Sequence, residues 1–63
     1  MLELFKEILI KVAFDRRLFT KELHKAIQWL KPGELEEFEE WCKKEYGKKY
    51  PGIIDLAFKL KTQ

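Results

Sequence analysis

Few side chains in this sequence could perform covalent or acid–base catalysis. The chain has one cysteine, Cys42, one histidine, His24, and no serine. A catalytic nucleophile needs a base within hydrogen-bond distance and a third group that orients this base. Helical periodicity places His24 on the solvent face of the second predicted helix and Cys42 on the buried face of the third. We therefore predict that the protein is not an enzyme and has no catalytic residues.

The sequence also contains few residues that could form a metal or cofactor site. Zinc sites use several Cys and His at short, regular spacings, and this chain has neither a CxxC nor an HxxxH pattern. Glutamates are numerous, but those of the third predicted helix fall on its outer arc, which is typical of a solvated face. Glu45 is the exception, since the spacing places it half-buried between Trp41 and Phe38. A carboxylate there should pair with a cation, either Lys49 nearby or Arg16 or Arg17 at a distance. We predict no metal, no cofactor and no small-molecule substrate.

The exposed side of the second predicted helix carries a group that suits nucleic acid. Cations bind phosphates, and polar side chains bind base edges, as in the recognition helix of a helix-turn-helix. The residues of this group are Arg16, Arg17, Lys21, His24, Lys25 and Gln28. The net charge of the chain is only +2, however, and the third helix is strongly acidic and would repel DNA if it lay nearby. Lys48 and Lys49 extend the basic surface if the link they occupy folds alongside.

Hydrophobic spacing and turn residues predict four short helices and no strand. The predicted helices cover residues 2–14, 20–30, 33–46 and 51–60. Thr20 is the expected N-cap of the second helix, and Pro32 suits the first position of the third. Gly47 is the expected left-handed stop of the third helix. Short connections between such helices favour an all-α compact bundle, and we predict a single domain over 1–63.

The sequence contains more large apolar residues than so short a chain is expected to bury. A domain of this size buries only about 60% of the surface of its unfolded chain, yet the sequence holds five Phe, two Trp and two Tyr. Ile10, Phe14 and Trp29 fall outside the apolar stripes of their helices. We therefore predict a homodimer or partner interface at these three residues. The expected function is that of a small adaptor or regulator acting through protein–protein contacts; a nucleic-acid-binding regulator that uses the second helix is the alternative.

Composition also indicates an environment. A lone cysteine suits a reducing compartment, and we expect a cytoplasmic protein. Four charged residues interrupt the apolar stretch 2–14, so no membrane span or signal peptide is expected. Abundant Lys and Glu, with no Asn or Ser, follow the pattern of thermophilic hosts.

Overall fold

The computed structural model describes residues 1–61 and contains four helices. The helices are α1 (Leu2–Val12), α2 (Arg16–Trp29), α3 (Pro32–Tyr46) and α4 (Pro51–Lys61). The predicted all-α architecture is confirmed, and no strand is present in the part of the chain described. Within that part, none of the helices has both the length and the apolar run needed to cross a bilayer. The predicted domain over 1–63 includes two residues that lie outside the described range.

The helices contact one another in the cyclic order α1, α2, α4, α3 around a common core. The core consists of apolar side chains that all four helices contribute. Its buried members are Phe5, Leu9, Phe19, Leu23, Ala26, Ile27, Leu30, Leu35, Phe38, Cys42, Ile54, Ala57 and Phe58. The radius of gyration is 10.3 Å, against about 10.6 Å for a compact domain of this length. Chain order therefore leaves α2 and α3 at opposite corners of the arrangement.

The boundary between α1 and α2 differs from the prediction. α1 ends at Val12, and Phe14 lies in the turn that follows, where the Asp15 N–H donates to the Val12 carbonyl at 3.0 Å. Asp15 has extended backbone angles, and its carboxylate accepts from the N–H groups of Arg17 (2.9 Å) and Leu18 (3.2 Å). Two first-turn amides are thereby satisfied, so α2 begins at Arg16.

Thr20 is therefore not the N-cap of α2, and residues 16–19, which lay between the first two predicted helices, belong to α2. The Thr20 hydroxyl donates to the Arg16 carbonyl at 2.8 Å, a bond made inside the helix. Both Asp and Thr are good N-caps, and the choice between them depends on where the chain turns. The cap at Asp15 starts α2 four residues before the predicted start at residue 20 and brings both arginines into its first turn, while the helix ends at Trp29, one residue before the predicted end.

The ends of α3 and α4 lie within one residue of the predicted 33–46 and 51–60, but the mechanism at Gly47 differs from the prediction. Pro32 is the first residue of α3, as predicted, and the Lys31 N–H donates to the Glu34 carboxylate at 3.3 Å. Gly47 is not a left-handed stop, because its φ is −62°. A Cβ at this position would instead collide with the backbone carbonyl oxygen of Lys43, which accepts the Gly47 N–H at 3.0 Å. The Tyr50–Pro51 bond is trans.

An aromatic cluster joins the start of α4 to the end of α1. The Phe19 ring contacts the rings of Tyr46 and Tyr50, with centroids 5.1 and 4.7 Å apart. The Tyr50 hydroxyl donates to the Ala13 carbonyl at 2.7 Å. The prediction for Glu45 was wrong: its side chain is exposed, because α3 directs Tyr46 and Cys42 inward and leaves position 45 on the solvent side.

Candidate nucleic-acid interface

Basic residues of α2 form a ridge along its exposed face. Arg17, Lys21 and Lys25 follow one another at intervals of four residues, so they lie on successive turns of one side of the helix. Trp29, the last residue of α2, continues this spacing. All four residues are exposed. They are called the α2 ridge below.

The opposite side of α2 explains why this ridge faces solvent. Phe19, Leu23, Ala26 and Ile27 are buried in the core. Their spacing is that of one apolar helix face, so core packing fixes the rotation of α2 about its axis. The same apolar pattern that folds the helix therefore directs the α2 ridge outward.

The six residues predicted to contact nucleic acid differ in their exposure to solvent. Five of them are exposed on α2: Arg16, Arg17, Lys21, Lys25 and Gln28. His24 is half-buried instead, and together with Gln28 it lines a shallow depression between α2 and α4. Ile27, Ala57 and Leu60 supply the apolar floor of that depression. His24 is therefore set toward α4.

The cations of α2 have no carboxylate partners among residues 1–61. No Asp or Glu oxygen lies within 4.0 Å of the charged nitrogens of Arg16, Arg17, Lys21 or Lys25. The Asp15 carboxylate caps the positive end of the α2 dipole, but it bonds to backbone N–H groups and not to the arginine side chains. The side-chain cations of this face therefore keep their positive charge without a paired carboxylate.

The acidic residues are concentrated on a different helix. α3 carries six glutamates and two lysines, whereas α2 carries four Arg or Lys residues and one glutamate. Some of the α3 charge is compensated locally: Glu39 pairs with Lys43 at 2.8 Å, and Glu37 with Lys6 of α1 at 3.8 Å. Because α2 and α3 lie at opposite corners of the bundle, the repulsion of polyanions by α3 acts mainly on the far side.

A second basic element lies beside the start of α2. Arg16 and Lys49 line one depression together with Tyr50 and the first turns of α4. The Lys49 ammonium lies 5.6 Å from the centre of the Tyr50 ring, and Tyr50 is itself fixed by its hydrogen bond to Ala13. The link before α4 thus brings a cation of its own next to the basic end of α2.

The three residues predicted to form a partner interface are all exposed. The exposed fractions are 58% for Ile10, 78% for Phe14 and 65% for Trp29. Ile10 lies one turn after Lys6, whose ammonium contacts Glu37 and the Trp41 ring of α3. Phe14 and Trp29 instead flank α2.

Other large apolar side chains, which were not identified from the sequence, are also exposed to solvent. They are Met1, Leu4, Leu18, Leu56 and Leu60. The total accessible surface is 4631 Å², and folded monomers of this mass expose about 4,300 Å² by size scaling. A surface of this extent matches a single folded copy. Whether two copies associate stays a prediction.

The remaining reactive groups do not form a chemical centre in the described part of the chain. Cys42 is fully buried, and burial, assisted by the nearby charge of Glu39, raises the pKa of its thiol to about 12. The thiol is therefore protonated and a poor nucleophile near neutral pH. Over residues 1–61, no group of three His, Cys, Asp or Glu side chains is placed to hold a metal ion.

Comparisons with known proteins add no relative. No protein-family model, no curated protein and no solved structure matches this chain.

Proposed function

We propose that this protein binds nucleic acid through the exposed face of α2. The observation that carries the proposal is the group of exposed cations on one side of one helix, none of which is neutralised by a carboxylate. An ordinary charged surface intersperses both signs. A face that keeps its positive charge uncompensated attracts a polyanion, because phosphates replace the counterions that the cations otherwise hold.

The arrangement of the elements supports this proposal over an adaptor role. Only the three residues 13–15 connect α1 to α2, a length typical of the turn in a helix-turn-helix, whose second helix contacts nucleic acid. The acidic helix lies at the far corner of the bundle, and Lys49 adds a cation beside Arg16. Pairing of the α2 cations with the α3 glutamates would have argued against nucleic acid, and no such pair forms among residues 1–61.

Sequence discrimination by this face should be weak. Few side chains of α2 suit base edges, and two of these are committed elsewhere: His24 is half-buried, and the Thr20 hydroxyl donates to the Arg16 carbonyl. Gln28 is the exposed amide. Most of the affinity should therefore come from phosphate contacts, which carry little sequence information.

The test is an electrophoretic mobility shift at about 50 mM salt. Lys21→Glu/Lys25→Glu should weaken retention by about 50-fold or more, since each phosphate contact contributes roughly tenfold at this salt concentration. The matched control is Lys43→Glu/Lys44→Glu, which changes the net charge equally at two exposed positions of α3, the helix diagonally opposite α2. The control should stay within about threefold of the unmodified protein. Circular dichroism verifies that both variants fold. Failure of the unmodified protein to shift any nucleic acid, or equal losses in both variants, would refute the proposal.

A homodimeric adaptor is the second candidate, and the exposed apolar side chains favour it. Contiguous apolar surface marks a partner site, whereas scattered exposed residues are normal. If Ile10 and Phe14 form the dimer contact, light scattering behind a sizing column should report twice the chain mass, and Phe14→Glu should return it to one chain mass. A dimer that survives changes at both positions would place the interface elsewhere, and a monomer at high concentration would exclude this candidate.

A further inference from the structure

We infer that the nucleic acid bound by α2 is single-stranded and that the Trp29 ring stacks on one of its bases, with Phe14 offering a second ring. This inference rests on the proposed function. It begins from the aromatic residues, all of which lie within the described range. Phe5, Phe19, Phe38 and Phe58 are buried, and Trp41, Tyr46 and Tyr50 are half-buried in ring–ring contacts.

Phe14 and Trp29 are the two aromatic residues left outside the core, and they stand at the two ends of α2. Trp29 is the last residue of this helix, and Phe14 precedes its N-cap. Among residues 1–60, no aromatic ring and no cation contacts the ring of either residue. Both rings are thus free to stack on a planar ligand.

Backbone contacts anchor the two chain segments that carry these rings. The chain around Phe14 is tied on each side, because the Ala13 carbonyl accepts from Tyr50 and the Asp15 N–H donates to Val12. Trp29 belongs to the last turn of a helix whose end is anchored by buried Leu30. An aromatic side chain on an anchored backbone has only two torsions to order on binding, so its entropic cost is small.

Each ring has a cation close to it along the chain, as expected for a surface that binds the phosphates and bases of one strand. Lys25 precedes Trp29 by one helical turn, and Arg16 follows Phe14 by two residues. Trp29 follows Arg17 by twelve positions along α2, so the α2 ridge is about 18 Å long at the rise of an α-helix. A strand that follows the ridge would place phosphates on the cations and one exposed base on the ring at the end.

A duplex fits this surface less well, because its stacked base pairs hide the base faces. Single strands offer these faces, and stacking on an aromatic side chain contributes about 1–3 kcal/mol per base without regard to sequence. A protein partner also fits less well, since the cores of protein interfaces are depleted in lysine, whereas Lys21 and Lys25 lie on the same ridge as Trp29.

Tryptophan fluorescence tests the inference directly. Trp41→Phe removes the half-buried indole, which stacks on Phe38, and preserves a ring there, so that Trp29 is the sole tryptophan. Titration of this variant with a short oligothymidylate should quench the emission saturably. A duplex of equal length should bind at least about tenfold more weakly and leave the emission nearly unchanged.

Substitutions separate stacking from charge. In the unmodified background, Trp29→Ala should weaken oligothymidylate binding by about 5- to 100-fold without changing the dependence of affinity on salt. Trp29→Phe should restore most of the affinity, because a ring remains. Lys25→Gln should instead lower the salt slope by about 0.7, the contribution of one phosphate contact on a single strand.

Three results would overturn the inference, and they differ from one another. Equal binding of duplex and single strand with unchanged Trp29 emission would retain nucleic-acid binding but refute stacking. Binding of neither would refute the proposed function itself. Emission that changes with protein concentration in the absence of nucleic acid would show that a second copy covers Trp29.

Discussion

The N-cap of α2 offers a sharp test of how this chain builds its basic face. Asp15 accepts hydrogen bonds from two first-turn amides, of Arg17 and Leu18. Asp15→Ala removes both acceptors, and loss of such a cap costs about 1–2 kcal/mol of folding free energy. For a domain of this size each kcal/mol corresponds to about 4–8 °C. We therefore expect the Tm to fall by roughly 4–16 °C in thermal unfolding followed by circular dichroism.

Two further variants decide whether capping is the cause. Asp15→Asn keeps an oxygen acceptor but removes the charge, and it should recover more than half of the loss. Thr20→Ala should change the free energy of unfolding by less than about 0.5 kcal/mol, because the hydroxyl of Thr20 bonds within the helix and alanine is the better helix former. If Thr20→Ala were the more damaging of the two alanine variants, α2 would begin at residue 20 and Arg16 and Arg17 would lie in a loop.

Three other perturbations follow from the packing. Since burial raises the pKa of the Cys42 thiol to about 12, the folded chain keeps a proton that an unfolded cysteine loses near pH 8.5. The free energy of unfolding in urea should therefore fall between about pH 9 and 12, by up to about 1.4 kcal/mol per pH unit, and Cys42→Ala should lack this part of the slope. Tyr50→Phe should cost about 1 kcal/mol in thermal unfolding, because the hydrogen bond to the Ala13 carbonyl is lost while the ring stays. Gly47→Ala should lower the Tm, since its Cβ would collide with the preceding turn, whereas Gly33→Ala, with nothing within 4 Å, should leave it equal or higher.

The sequence was sufficient to predict that four helices form, but it did not predict where α2 begins. Apolar spacing identified all four helices, and proline positions marked the starts of α3 and α4. The start of α2 depended on a choice between two good caps, Asp15 and Thr20, which a single sequence does not resolve. Gly47 ended α3 as predicted, but for close approach to a carbonyl and not for a left-handed conformation.

The candidate nucleic-acid interface could be predicted from the sequence only in part. Spacing placed Lys21 and Lys25 on the exposed side of α2, because that inference needs only the helical period. Whether glutamates would neutralise them depended on which helices are neighbours in the bundle, and periodicity carries no information on this. His24 was misjudged for the same reason, since its partial burial comes from α4, a helix distant in sequence.

The hydrophobic core is formed without the exposed rings of Phe14 and Trp29. Four helices enclose a set of apolar side chains at the radius of gyration of a compact single domain, so folding does not require these two residues to be covered. Both rings lie at the ends of one basic helix and outside the ring–ring contacts of the core, and the proposed stacking on nucleic acid would give them a role in binding and not in folding. Substitution of either ring should accordingly change binding while leaving thermal unfolding nearly unaltered, a separation that no core aromatic residue of this bundle would show.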